Sequence, residues 1–244
     1  MVRTGFIGRL RPFFPYYGSK WNIARYYPAP RFLHAIEPFA GGAGYSLFYG
    51  IPTVTLFDAD PIIVGVWEYL LRATPAEILA LPELPEVGDS VDNYELPQEA
   101  KWLIGFWLNR GSAQPKKSRT AYSARVDRGQ LNWGARAKAR IASQLPAIQP
   151  GWRVALKQYH GAPDLRATWF IDPPYGEKGT HYRFSSDLLD FEALGEWTRD
   201  RVGQVIACEN VGADWLPFAP LGSFKATRGR SLEAIYVNEV QVFR

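Results

Sequence analysis

The chain has one cysteine, Cys208, which excludes an internal disulfide framework and any zinc site built from several thiolates. Apolar residues never run long enough to span a bilayer, and residues 1–11 lack the apolar stretch of a signal peptide. A cytoplasmic protein without membrane contact is the expectation. Low-complexity tracts and internal repeats are absent, and 47% of the residues are hydrophobic, which argues against disorder. The 244 residues suit one sizeable α/β domain with an inserted lobe, large enough to bury a proper core. His34, His160 and His181 are scattered and read as ordinary surface or core histidines, so no metal site is expected. A monomer is the default expectation.

Acidic residues nearly vanish between positions 110 and 140. Nine basic residues stand there (Arg110, Lys116, Lys117, Arg119, Arg125, Arg128, Arg136, Lys138 and Arg140) against the single acid Asp127. The whole chain has a formal net charge of only +4, so this segment is locally far more positive than the rest. Solvated helix faces usually mix both signs. A one-signed run therefore favours contact with a polyanion, nucleic acid first. Lys116, Lys117 and Arg119 follow Pro115 in a polar stretch and are expected to be exposed.

Strand-helix alternation marks both ends of the chain. Residues 33–37 (LHAIE) and 53–57 (TVTLF) read as short buried strands around a helix at 45–49, with another helix at 61–72. Residues 73–97 turn acidic and proline-rich, which predicts a surface path. An apolar, aromatic stretch at 100–109 leads into the basic segment. Alternation resumes with strands at 152–158 and 168–171, a helix over 188–201 and a strand at 204–208. Residues 233–243 are strand-like, with a turn near Asn238. This layout predicts a Rossmann-like α/β sheet domain formed by residues 1–72 and 150–244, interrupted by a mainly helical lobe at 73–149.

Two motifs sit at strand ends. The first strand feeds EPFAGGAGYSL, in which Gly41, Gly42 and Gly44 let the backbone approach a ligand closely. The second strand ends at Asp58, placed to accept hydrogen bonds from ribose hydroxyls. The glycines do not follow G-x-G-x-x-G, which disfavours a dinucleotide and leaves other adenosine cofactors open. Asp60 is read as the cap of the helix starting at Pro61. The other motif is TWFIDPPYGEKG, where a buried strand delivers Asp172 into Pro173, Pro174 and Tyr175. The loop that follows, residues 176–184, is rich in glycine and charge. Glu209 and Asn210 follow the strand carrying Cys208 at its C-terminal end, where open-sheet sites gather, which leaves a minor site role open to them; the Cys208 thiol is expected to be buried and inert.

Taken together, these pieces resemble a DNA adenine methyltransferase of the Dam type, in the α group of amino-methyltransferases. The resemblance rests on the order of its parts: Tyr16, Gly18 and Lys20, then the run from Glu37 to Gly44, Asp58, a basic insertion, and the D-P-P-Y motif from Asp172 to Tyr175. It covers most of the chain and is weakest in the middle. Tyr16 stands where the family often has tryptophan, and Ser19 where it often has glycine.

The resemblance implies S-adenosylmethionine as methyl donor, S-adenosylhomocysteine as product, and the N6 amine of a flipped-out adenine in double-stranded DNA as acceptor. It implies a catalytic set of Asp172, Pro173, Pro174 and Tyr175. The cofactor set is Tyr16, Lys20, Glu37, Pro38, Phe39, Ala40, Gly41, Gly42, Gly44, Asp58 and Asp172. The DNA-binding set is Arg110, Lys116, Lys117, Arg119, Arg125 and Arg128. A restriction-modification, orphan or phage-encoded enzyme fits this description. Alternatives are another acceptor (cytosine N4, RNA or a protein amide) and a non-catalytic DNA-binding protein with the same fold. A nicotinamide-dependent oxidoreductase is remote, because the glycine pattern is wrong.

Overall fold

The computed structural model describes residues 5–108, 112–126, 132–176, 182–225 and 229–238. Among these residues seven strands form one sheet: β1 (His34–Glu37), β2 (Thr53–Asp58), β3 (Trp152–Leu156), β4 (Ala167–Ile171), β5 (Gly203–Asn210), β6 (Ala219–Lys225) and β7 (Arg230–Val237). Their order is β3-β2-β1-β4-β5-β7-β6. The first five run parallel, while β7 is antiparallel to both β5 and β6. This is the expected Rossmann-like α/β architecture. The strand order reverses between β1 and β4, and at such a switch point ligands gather outside the carboxyl ends of the strands.

Local chemistry explains the elements. All five residues of β4 are buried, as a parallel strand covered on both faces requires. Helix α1 (Gly44–Tyr49) follows the glycine turn, and helix α2 (Pro61–Arg72) follows β2. Asp60 caps α2 as expected: its Oδ1 accepts from the Ile62 N–H at 2.9 Å, and Pro61 opens the helix. Helix α3 (Pro75–Ala80) starts at a capping box in which Thr74 and Glu77 each accept from the other's backbone N–H.

Between β2 and β3 the insertion is helical, comprising α3, α4 (Gln98–Leu108), α5 (Ala121–Val126) and α6 (Ala135–Ile148). Its apolar faces join the same core as the sheet. Phe106 of α4 stacks on Phe14 with centroids 5.1 Å apart, and Trp107 Nε1 donates to the Phe13 carbonyl at 3.0 Å. Helix α7 (Phe191–Arg199) packs under β4 and β5 through Leu194 and is shorter than the helix expected over 188–201.

Three expectations need correction. Residues 73–97 do not simply skirt the surface: Ile78, Leu81, Leu84 and Val91 are buried. The prolines there punctuate a chain that still turns apolar side chains inward. Strand β6 went unread because APLGSFK contains Pro, Gly and Lys. It is an edge strand with a register shift between Pro220 and Gly222, where such residues are tolerated. The strand expected over 233–243 begins earlier, at Arg230, and residues beyond 238 lie outside the described residues.

Candidate active site

At the β1–β4 switch point the loops surround a cavity that is open to solvent. Tyr16, Lys20, Asp58, Asp172, Pro174 and the whole run 37–44 line it, so the residues assigned to the cofactor share one space. Pro173 and Tyr175 belong to the same loop but do not line that space.

The glycine turn is shaped by close approach. Gly41 has φ +43°, and a Cβ there would lie 2.9 Å from the Tyr16 ring. A Cβ on Gly44 would lie 2.6 Å from the Trp21 backbone nitrogen. Ala43 also adopts a left-handed φ of +47°, at a cost of about 1 kcal/mol. Three hydrogen bonds hold the turn against that strain. Trp67 Nε1 donates to the Gly41 carbonyl at 2.9 Å, and the Ala40 N–H donates to the Phe57 carbonyl at 2.9 Å. The Gly41 N–H donates to Asp58 Oδ2 at 3.0 Å.

Asp58 therefore shapes the cavity as well as facing it. Its other oxygen accepts from the Asp60 N–H at 2.9 Å. Each carboxylate oxygen retains a free lone pair, so a fixed acceptor remains for a ligand. Burial pushes the Asp58 carboxyl up to about 6, opposed by those two N–H groups. Glu37 is buried more deeply; burial pushes it up to about 8, although its Oε1 accepts from the Ser46 N–H at 3.0 Å. At neutral pH Glu37 is mainly protonated.

At the other end lies the Asp172 loop. Lys20 Nζ is 2.8 Å from Asp172 Oδ1, donates to the Gly18 carbonyl at 3.1 Å, and sits 4.6 Å from the centroid of the Tyr175 ring. Burial pushes the Asp172 carboxyl up, and Lys20 offsets part of that shift. Burial alone would lower the Lys20 ammonium, but Asp172 and Glu233 outweigh it and raise it well above the ordinary lysine range.

Several cavity residues escaped sequence reasoning. Tyr159 stacks on Phe39 with centroids 5.8 Å apart and forms an aromatic wall. Tyr182 meets Tyr16 and Tyr17 at 6.1 and 5.6 Å, and Phe184 and Leu188 complete the rim. Aromatic residues beside strand ends were the available signal. Arg183 lies 3.9 Å from the capping acid Asp60. Glu209 accepts from the Gly176 N–H at 3.4 Å and supports the start of the post-motif loop.

The basic segment divides. Lys116, Lys117, Arg125 and Arg136 are exposed, with Lys117 paired to Asp92 at 2.9 Å. Arg119 is not exposed as expected but buried at 7%. Its backbone is drawn in because its N–H donates to the Asp89 carbonyl and its own carbonyl accepts from the Gly88 N–H. Lys138 is also buried, donating to the Leu81 carbonyl at 2.8 Å and pairing with Glu83 at 3.2 Å. Arg140 lies over the Trp107 ring at 5.0 Å. Arg110 and Arg128 lie outside the described residues.

Cys208 is fully buried, and His34 bonds Thr55 Oγ1 at 3.0 Å. Among the described residues there is no cluster of three or more His, Cys, Asp or Glu able to hold a metal. Among the same residues, no helix is long and apolar enough to cross a membrane.

No protein-family model and no curated protein sequence matches the chain. Among solved structures it is similar to the rRNA methyltransferase AviRa from Streptomyces viridochromogenes. Identity is 15% and TM-score 0.41, over 96% of this chain and 90% of that one. It is also similar to the yhhF protein of Escherichia coli, with 12% identity and TM-score 0.39 over 97% and 98% of the two chains. A conserved hypothetical protein of Streptococcus pyogenes gives 12% identity and TM-score 0.36 over 91% and 94%. Likeness this distant fixes neither family nor activity. The fold assignment rests on the strand order.

Proposed function

We propose that the chain is an S-adenosylmethionine-dependent methyltransferase acting on the N6 amine of adenine in DNA. The observation behind this reading is the placement of Asp172. It is a partly buried, cation-paired acid at the carboxyl end of β4, lining the same cavity as the nucleoside-type acceptor Asp58.

The residues fit such a donor. Asp58 offers spare acceptor capacity for ribose hydroxyls, and Phe39 with Tyr159 offers an aromatic wall for a purine. When bound, the donor supplies an electrophilic methyl group.

The work of the protein is then positional. An exocyclic amine is a poor nucleophile because its lone pair is delocalised into the ring. Asp172 accepts a hydrogen bond from an amine N–H and favours a pyramidal nitrogen. Lys20 favours the accepting, ionised form of Asp172, since an adjacent cation stabilises the carboxylate. Asp172 need not be a strong base, because the amine proton becomes acidic only as positive charge builds on nitrogen. Fixed geometry and electrostatics supply most of the rate. The base must leave the duplex stack at a cost of a few kcal/mol. A stacked aromatic returns roughly 1–3 kcal/mol; the resemblance gives this role to Tyr175, whose ring in the free protein packs against the core and faces Lys20. Exposed Lys116, Lys117, Arg125 and Arg136 provide contacts for phosphates.

The test is chemical. Duplex DNA and structured RNA of mixed sequence are incubated with isotopically labelled donor, then digested to nucleosides. Label in N6-methyladenine from DNA supports the reading. Label in RNA alone, or in N4-methylcytosine, replaces its acceptor; no label in either polymer refutes it.

A further inference from the structure

Behind the Asp172 loop lies a buried acid that the proposed chemistry does not use. Glu233, on β7, is 4% exposed. Tyr175 Oη donates to Glu233 Oε2 at 2.5 Å, and Tyr27 Oη reaches the same oxygen at 3.5 Å. Strand β7 is separated from β4 by β5, so the bond links the loop after β4 to a strand two places along the sheet. It ties the end of the D-P-P-Y loop to the far half of the molecule.

The tether acts on the ring as well as on the loop. With its hydroxyl fixed by Glu233, Tyr175 presents its ring to Lys20 Nζ at 4.6 Å, and Lys20 in turn holds Asp172 at 2.8 Å. The chain of contacts therefore runs from Glu233 through Tyr175 to Lys20 and Asp172. A hydrogen bond of 2.5 Å from a phenol to a carboxyl oxygen is at the short end of protein hydrogen bonds. Placed under a loop with two consecutive prolines, it removes the main freedom left to that loop, which is rotation beyond Pro174.

We propose that Glu233 is a positioning residue for the active site, locking Tyr175 and through it the Lys20–Asp172 pair. The role rests on the reading of Asp172 given above. Its consequence is that the loop is already organised in the free protein, before donor or DNA arrives. Preorganised acceptors gain their effect because they need no rearrangement at the moment of reaction.

Tyr175→Phe and Glu233→Ala test this, the first keeping the ring and removing only the hydroxyl. In ligand-free protein, amide exchange of Tyr175 and Gly176, read by mass spectrometry, is expected to be about tenfold faster in both variants. In methyl transfer, kcat is expected to fall at least about tenfold, with KM for the donor within about twofold. Combining the two changes should cost no more than the worse of them alone, because both break one link. Unchanged exchange in Tyr175→Phe overturns the proposal whether or not the wild type transfers methyl groups. Faster exchange with unchanged kcat in an active enzyme also overturns it. A wild type inactive on DNA and RNA refutes the proposed function instead, and the exchange measurement still decides whether Glu233 locks the loop. Should Glu233→Ala fail to fold, Tyr175→Phe alone gives each of these outcomes.

Discussion

Lys20 Nζ and Asp172 Oδ1 lie 2.8 Å apart, joining the aromatic arm before β1 to the loop after β4. The cation opposes the burial that pushes the Asp172 carboxyl up. Lys20→Met removes the cation and leaves burial unopposed, so the Asp172 carboxyl should titrate higher. The acid limb of the kcat–pH profile is expected to move to higher pH, while Lys20→Arg keeps it near the wild-type position. Breaking a buried pair costs about 3–5 kcal/mol, so folding is checked by thermal melting alongside. A limb that stays put in folded Lys20→Met would separate Asp172 ionisation from the rate.

Asp58→Ala removes the acceptor proposed for ribose and also the partner of the Gly41 N–H. Donor affinity should weaken by roughly 1.5–3 kcal/mol. Calorimetry reads this directly, and unchanged affinity would place the ribose contact elsewhere, with Asp60 the first residue to test. Because Asp58 titrates near 6, wild-type affinity should also decline as pH falls through 6.

Glu37 gives a stability signature. Its carboxyl titrates at about 8 in the fold against 4.5 unfolded, so between those values the folded state holds the extra proton. The contribution is complete below 4.5 and is lost as pH rises towards 8. Within that window stability should fall by about 1.4 kcal/mol per pH unit from this group. Denaturant unfolding of wild type and Glu37→Gln at several pH values isolates the effect from Asp58 and His34. The variant should lack that slope; parallel curves would mean that Glu37 is ionised in the fold.

Exposed lysines and arginines of the insertion should govern salt dependence. Replacing Lys116, Lys117 and Arg125 by alanine is expected to flatten the plot of log DNA affinity against log salt by about 0.9 for each phosphate no longer neutralised. Folding stability should change little, since Lys117 makes only a surface ion pair. Arg119→Ala should instead destabilise the fold, because Arg119 is buried. A triple variant with unaltered affinity and slope would make this stretch a solvated surface.

The parts of the site legible in the sequence were those encoded within a few residues. The glycine turn, Asp58 at a strand tip, the Asp60 cap and Asp172 after a buried strand are each local patterns, and β1, β2, β4 and β5 lie close to where apolar runs placed them. The Lys20–Asp172 pair depends on tertiary packing that no local pattern encodes. Glu233 was hidden for the same reason: in EAIYV it looks like the polar start of a strand, and its partners Tyr175 and Tyr27 lie far away in the chain. Charge counting overstated the basic segment, because Arg119 and Lys138 are drawn inward by contacts with residues 81–89.

In the proposed reaction Asp172 acts on the amine during methyl transfer. Single-turnover transfer to DNA by wild type and Asp172→Ala, with donor affinity measured on the same samples, tests it most directly. Transfer should nearly disappear while donor affinity changes much less. Transfer within about tenfold of wild type, only about 1.4 kcal/mol of barrier, would contradict it.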